Sequence, residues 1–138
     1  MSSQIILGCL LAAASTYDVP SSVLYSIMEV EGGETGTVSA NTNGSYDLGL
    51  MQINSLWLPE LAKHWGVDET EAAYRVVNDT CTNIDVASWI LKKKIAEADG
   101  SLINGIAFYH SRTPHLGRKY ALKVYDTLEK NNFLEESN

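Results

Sequence analysis

Between Pro20 and Gly33 the chain spells out a helix and its end, PSSVLYSIMEVEGG. Proline has its φ fixed near the helical value and lacks an N–H that a first turn leaves unpaired, so Pro20 suits the opening turn. Val23, Leu24, Ile27 and Met28 recur at helical spacing. Gly32 and Gly33 then stop the helix. The stretch from Thr35 to Asp47 is rich in Gly, Asn, Ser and Thr, and its Asn43-Gly44 pair is a hairpin-turn signal. A helix stopped so abruptly, with a turn-rich insert on its end, predicts a mainly α fold with one short loop or two-stranded β-ribbon after Glu31.

The remaining segments read as helices between clear stops. Ile5 to Ser15, IILGCLLAAAS, has the look of a secretory apolar core, but no Lys or Arg precedes it, and it is too short to span a bilayer. The expectation is a buried first helix ending near Tyr17, with Ile5, Cys9, Ala12 and Ala13 on one side, in a chain whose export signal is already gone. Leu56 to Gly66 reads as a short helix around Pro59. Asp68 followed by Glu71 is a capping-box pattern for the next. Thr82 to Gly100 is a long amphipathic helix with Ile84, Ala87, Leu91 and Ile95 on one face, and Lys92, Lys93 and Lys94 form a solvated turn. Ser101 caps a further helix, and the last begins near Pro114 with Leu116, Tyr120, Val124 and Leu128 at four-residue steps. A single domain over residues 1–133 is expected, with the acidic tail 134–138 disordered.

With 45% hydrophobic and 20% charged residues the chain has material for a real core. Its net charge of −7 argues against a nucleic-acid partner, which calls for a basic surface, and against docking on anionic lipid. Cys9 and Cys81 fit two buried apolar side chains in a reducing compartment or a disulfide in an oxidising one. No Cys or His spacing indicates a metal site, and no cofactor is expected.

Glu31 lies four residues beyond Ile27 and eight beyond Val23, so it continues the apolar stripe where Glu29 does not. A carboxyl held among apolar neighbours has its charged form disfavoured, and a neutral acid can protonate a leaving group. The alternative is a partly buried Glu that caps the following loop. Downstream, Gln52 and Asn54 in GLMQIN offer amides for sugar hydroxyl or acetamido groups, and Met51 and Tyr46 offer apolar faces for pyranose rings. Tyr109 adds a phenol from far along the chain; His110, beside it, has no partner motif for a nucleophilic triad.

These residues resemble the lytic transglycosylase domain with a lysozyme-like fold. The branch most alike is the small, specialised enzymes that accompany conjugation, type III and type IV secretion, and type IV pilus assembly. The likeness is carried by IMEVEGG, NTNGSYDLGLMQIN, CTNIDVASWIL and IAFYHSRTP, and spans about residues 5 to 127. It implies that Glu31 is the single catalytic acid and base. It implies that Gln52 contacts the sugar at the cleavage site, that Met51 and Asn54 support the groove or loop, and that Tyr109 lies close to Glu31. It also implies a Cys9–Cys81 disulfide, the periplasm as location, peptidoglycan glycan strands as substrate, components of a secretion, conjugation or pilus machine as partners, and a monomer without membrane insertion. Two positions depart from the family pattern. Gly32 stands where a Ser usually bonds the carboxyl, which passes that duty to Ser45 or a backbone group, and His110 stands where an Asn usually follows the Tyr.

Two rival functions fit the same residues. A hydrolytic lysozyme needs a second carboxylate, and Asp47, the one acid in the signature loop, is read as fixing that loop instead. A peptidoglycan-binding scaffold that has lost catalysis is suggested by Gly32 and His110.

Overall fold

The structure is a computed structural model that describes residues 3–131. Among the described residues seven helices accompany a small sheet: α1 (Ser3–Tyr17), α2 (Ser21–Glu31), β1 (Val38–Ala40), β2 (Tyr46–Leu48), β3 (Ile53–Asn54), α3 (Leu58–Trp65), α4 (Glu69–Asn78), α5 (Thr80–Glu97), α6 (Leu102–His110) and α7 (Pro114–Lys130), with one 3₁₀ turn at Ser55–Trp57 before α3. The expected mainly α, lysozyme-like architecture is the one found. The expected disordered tail lies outside the described residues.

α5 is the central strut. Asp79 caps it by accepting a hydrogen bond from the Thr82 N–H at 2.8 Å, which starts the helix two residues earlier than the Thr82 expected from sequence. Ile84, Val86, Ala87, Ile90 and Leu91 are buried on it, and α1, α4 and α6 pack around them. α1 turns Cys9, Leu10, Ala13 and Ala14 inward. The stripe through Ile5 and Ala12 is thus corrected: both are exposed, because the packed face of α1 is centred on the small residues that let it approach α5 closely. On α7 the buried residues are Gly117, Tyr120, Ala121, Val124 and Leu128, and Leu116 falls outside the stripe, 43% exposed at the first turn.

Cys9 and Cys81 form a disulfide that ties α1 to the start of α5, with Cα atoms 5.0 Å apart across a sequence separation of 72. A cross-link over so long a loop removes much of the unfolded chain's freedom. Replacing Cys81 by Ser, at an exposed position, is expected to lower the unfolding free energy by about 3–4 kcal/mol, read from urea denaturation under oxidising conditions. A loss below about 1 kcal/mol would contradict that role.

The insert after α2 is a three-stranded antiparallel sheet, one strand more than the ribbon expected. β1 and β2 form a hairpin in the register Val38↔Leu48, Ser39↔Asp47 and Ala40↔Tyr46. Their turn is closed by Asn41 N–H to Ser45 C=O at 2.9 Å and holds Gly44 at φ +87°. The chain then doubles back after Gly49, and β3 pairs Asp47↔Asn54 and Leu48↔Ile53. Two residues are too short a strand to announce themselves in a sequence. The reversal is anchored by Asn83 of α5, 1% exposed, which accepts from the Met51 N–H at 2.8 Å and donates to the carbonyls of Leu48 and Val76 at 2.9 and 2.8 Å.

The lysines expected to form a solvated turn are only partly so. Lys92 is exposed. Lys93 bonds Glu60 at 3.1 Å and lies 4.6 Å from the Trp89 ring, and Lys94 bonds Glu97 and lies 5.6 Å from the Trp57 ring. Their alkyl stems and charges cover two aromatic rings that α5 and the 3₁₀ turn bring into edge-to-face contact at 5.5 Å.

Candidate active site

α2 ends at the residue whose side chain matters most. Gly32 takes the left-handed cap conformation, φ +65°, and its N–H bonds the Met28 carbonyl, so the helix stops with Glu31 on its last turn. A side chain at Gly33 would strike the Leu50 carbonyl and the Gln52 amide, each 2.7 Å from where its Cβ would stand. The absent side chain lets the loop after β2 close against the end of α2. That contact brings Glu31 and Gln52, twenty-one residues apart, into one cavity.

The cavity has a volume of about 250 Å³ and is lined by Glu31, Asn41, Asp47, Gln52, Asn54, Trp57, Tyr109 and His110, with Ile53 and Ile90 beneath. Its polar wall comes from the sheet. Asp47 and Asn54 face each other in the β2–β3 register, and the Asn54 amide donates to the Asp47 carboxylate at 3.3 Å. Gln52 sits at φ +54°, a conformation a non-glycine residue holds only under constraint, and its side-chain amide donates to the Gly49 carbonyl at 3.0 Å. Trp57 adds its indole to the lining.

Glu31 is largely withdrawn from solvent, and its pKa is raised above the ordinary carboxylate value of 4.5. Burial is the main cause, and the Asp47 charge acts in the same direction. A hydrogen bond from the Tyr120 hydroxyl, 2.6 Å from Glu31 Oε2, pulls the other way without cancelling them. Tyr120 is 5% exposed, and its pKa is pushed far up by burial, then by Tyr109 and Glu31, so it remains an O–H donor. Its ring stacks almost flat on His110, 4.5 Å between centroids at 3°, and more loosely on Tyr109 at 6.3 Å. The Tyr109 phenol is likewise pushed up by burial and by the charges of Glu31 and Asp47. Burial and Lys123 push the His110 pKa down, with Asp47 opposing, which keeps the imidazole neutral at neutral pH.

Of the residues singled out in sequence, Glu31, Gln52, Asn54, Tyr109 and His110 meet in this cavity. Three do not. Met51 is fully buried beneath the sheet and cannot face a sugar ring; its apolar side chain fills the core while its N–H is held by Asn83. Tyr46 is 48% exposed on β2 and does not line the cavity. Ser45 is buried in the hairpin. Its hydroxyl donates to Asn43 Oδ1 at 2.6 Å and accepts from the amides of Asn41 and Asn54 at 3.1 Å, so it is not the substitute partner for the Glu31 carboxyl. That partner is Tyr120.

Tyr120 was legible only as one more member of the α7 stripe. Its signal is a hydroxyl on an otherwise apolar row, which needs a buried acceptor, but the acceptor lies 89 residues away in sequence. Asp47 both fixes the loop, as expected, and faces the cavity. Asn41 and Trp57 carried no sequence signal of their own.

A carboxyl of raised pKa, bonded by one phenol and opening on amides and an indole, holds its proton to higher pH than an exposed one and can give it up and retake it beside a polar, ring-shaped ligand. Among the described residues no group of three or more His, Cys, Asp or Glu side chains converges to hold a metal ion, and no helix is long and apolar enough to cross a membrane.

The chain is similar to known proteins over most of its length. Invasion protein IagB of Salmonella typhimurium is 29% identical over 127 residues, covering 88% of this chain and 76% of that protein. IagB of Salmonella typhi matches to the same extent. Protein IpgF of Shigella flexneri is 33% identical over 82 residues, covering 59% of this chain and 51% of its own length. Residues 8–132 match the family described as Transglycosylase SLT domain. The chain thus belongs to the transglycosylase SLT domain family, and is a lytic transglycosylase with peptidoglycan as its substrate.

Proposed function

We propose that the chain cleaves the β-1,4 bond between N-acetylmuramic acid and N-acetylglucosamine and leaves a 1,6-anhydro-muramic acid end. The observation that carries this is the Glu31 carboxyl: withdrawn from solvent, raised in pKa, bonded by Tyr120 and open to a cavity with Gln52, Asn54 and Tyr109. Glu31 in its acid form protonates the bridging oxygen as the bond from that oxygen to C1 breaks. The transition state is oxocarbenium-like, and the substrate's own 2-acetamido group stabilises the cation. The Glu31 carboxylate then takes the proton of the muramyl C6 hydroxyl as O6 bonds to C1. No water is consumed, and Glu31 ends in the acid form in which it began.

The Gln52 amide and the Asn54 carboxamide oxygen meet sugar hydroxyl or acetamido groups, and Tyr109 and Trp57 complete the lining. The resemblance of its motifs to the small, specialised transglycosylases supports work at the cell wall beside an envelope-spanning secretion, conjugation or pilus machine, and the similar IagB bears the name invasion protein. The chain would act there as a monomer in the periplasm, opening the wall locally.

Asp47, in the same cavity as Glu31, is the observation that favours the hydrolytic alternative, since a second carboxylate can activate water or form an adduct. Mass spectrometry of fragments released from purified peptidoglycan separates the two. The anhydro product is lighter by one water than the hydrolytic one, and it is the expected species. Reducing-end products alone would establish a lysozyme, and binding without release would establish a scaffold.

Tyr120→Phe removes the hydrogen bond that favours the Glu31 carboxylate. Cleavage is expected to fall about ten- to a hundredfold, the worth of one hydrogen bond to a charged group. The Glu31 pKa should rise further, so the acid form persists to higher pH and the alkaline limb of the activity profile moves upward. An unmoved limb would show that Tyr120 does not govern the acid.

A further inference from the structure

A second hollow, of about 280 Å³, shares Glu31 and His110 with the first. Its lining differs in kind: Val30 and Leu116 are apolar, and Lys119 and Lys123 stand one turn apart on the exposed face of α7. Neither lysine enters an ion pair among the described residues, and the acid nearest in sequence, Asp126, is engaged by Lys130 at 3.2 Å. In a chain of net charge −7 this is a local reversal of sign beside the reactive carboxyl. His110, at the border of the two hollows, is neutral at neutral pH, so the positive charge here belongs to the two lysines.

We propose that this second hollow is a subsite for the peptide stem of the murein strand, with Lys119 and Lys123 contacting the stem's free carboxylates and Leu116 and Val30 its apolar groups. The inference rests on the peptidoglycan reading above. Each muramyl sugar carries a short peptide with free carboxylates. A strand lying along the amide-walled cavity and past Glu31 brings such a stem to the lysines. Exposed ammonium–carboxylate contacts are modest and salt-screened, so the subsite sorts stems by charge and is not required for bond cleavage.

The test uses the full chain carrying Glu31→Gln, so that bound strands persist. Binding is measured for soluble glycan fragments with free-carboxylate stems, with amidated stems, and with the peptides removed. The free-carboxylate fragment should bind tightest at low salt. Lys119→Gln with Lys123→Gln should weaken that fragment about five- to tenfold, leave the other two unchanged and abolish the salt dependence of the preference. Lys119→Arg with Lys123→Arg should keep the preference. The subsite is overturned if the glutamine pair leaves the first affinity unchanged or weakens all three equally. A parent chain that binds the three fragments alike, while the Glu31 form releases anhydro products, overturns the stem subsite alone. A chain that binds none of them overturns both the subsite and the function it rests on.

Discussion

Glu31→Gln is expected to remove glycan cleavage almost entirely, by about 10⁴-fold, without unfolding the protein. One positioned acid or base contributes on the order of 10²–10⁴ in rate, and here a single side chain is asked to do both tasks in succession. Glutamine keeps the shape and an acceptor for the Tyr120 hydroxyl but has no proton to lend. The stability of the variant separates lost chemistry from lost structure. The pKa of Glu31 is raised in the folded state, so the native protein holds that proton more tightly than the unfolded chain does. Stability therefore falls as pH rises from the ordinary carboxylate value of 4.5 toward the folded value. The glutamine has no such cost. The thermal midpoint at pH 7 should equal or exceed that of the parent, and the gap should close as the pH is taken below the unfolded value. Retained cleavage in a folded Glu31→Gln chain would defeat the assignment.

The second large effect is expected far from any sugar. Asn83→Ala should destabilise the protein by about 3–5 kcal/mol, and cleavage should fall with it. Asn83 is buried on α5, and its amide satisfies the Met51 N–H and the carbonyls of Leu48 and Val76. Removing the amide takes a hydrogen bond from three main-chain groups, each loss costing roughly 1–3 kcal/mol where water cannot enter and less where it can. Two of them belong to the reversal that carries Gln52 and Asn54 into the cavity. Urea denaturation measures the stability, and fragment release from peptidoglycan measures the consequence. A change within about 0.5 kcal/mol would mean that the loop is held by its own hairpin and not by α5.

What could be read ahead of the structure divides by range. Helix stops were legible because their causes are local: Gly32 and Gly66 take left-handed caps, and Asp68 and Ser101 accept from N–H groups three residues on. Faces of helices were less so. Periodicity shows that α1 and α7 each have an apolar side, but the neighbour decides which residues face inward, and Ile5, Ala12 and Leu116 lie outside. The third strand was missed because it is made by a distant amide, not by its own two residues. At the site, Glu31 was legible from its step along the α2 stripe, and Gln52 and Asn54 from their polarity in an apolar run. Met51 shares that run and is wholly buried, because the turn before β3 is pinned to α5 by the bond from its N–H to Asn83. The role expected of Ser45 falls to Tyr120. The serine is consumed by the asparagines of its own turn, whereas a tyrosine 89 residues from Glu31 makes the bond to its carboxyl. Contacts at that separation are a property of packing, which one sequence does not display.

The account as a whole depends on a proton that Glu31 keeps until the bond is ready to break. The most direct measurement is a carbon-13 NMR titration of its side-chain carboxyl, assigned by the signal that disappears in Glu31→Gln. The carboxyl is expected to titrate clearly above 4.5, its ordinary value, with burial outweighing the Tyr120 hydrogen bond. A midpoint at or below that value would show the group ionised in working conditions, with no proton to give.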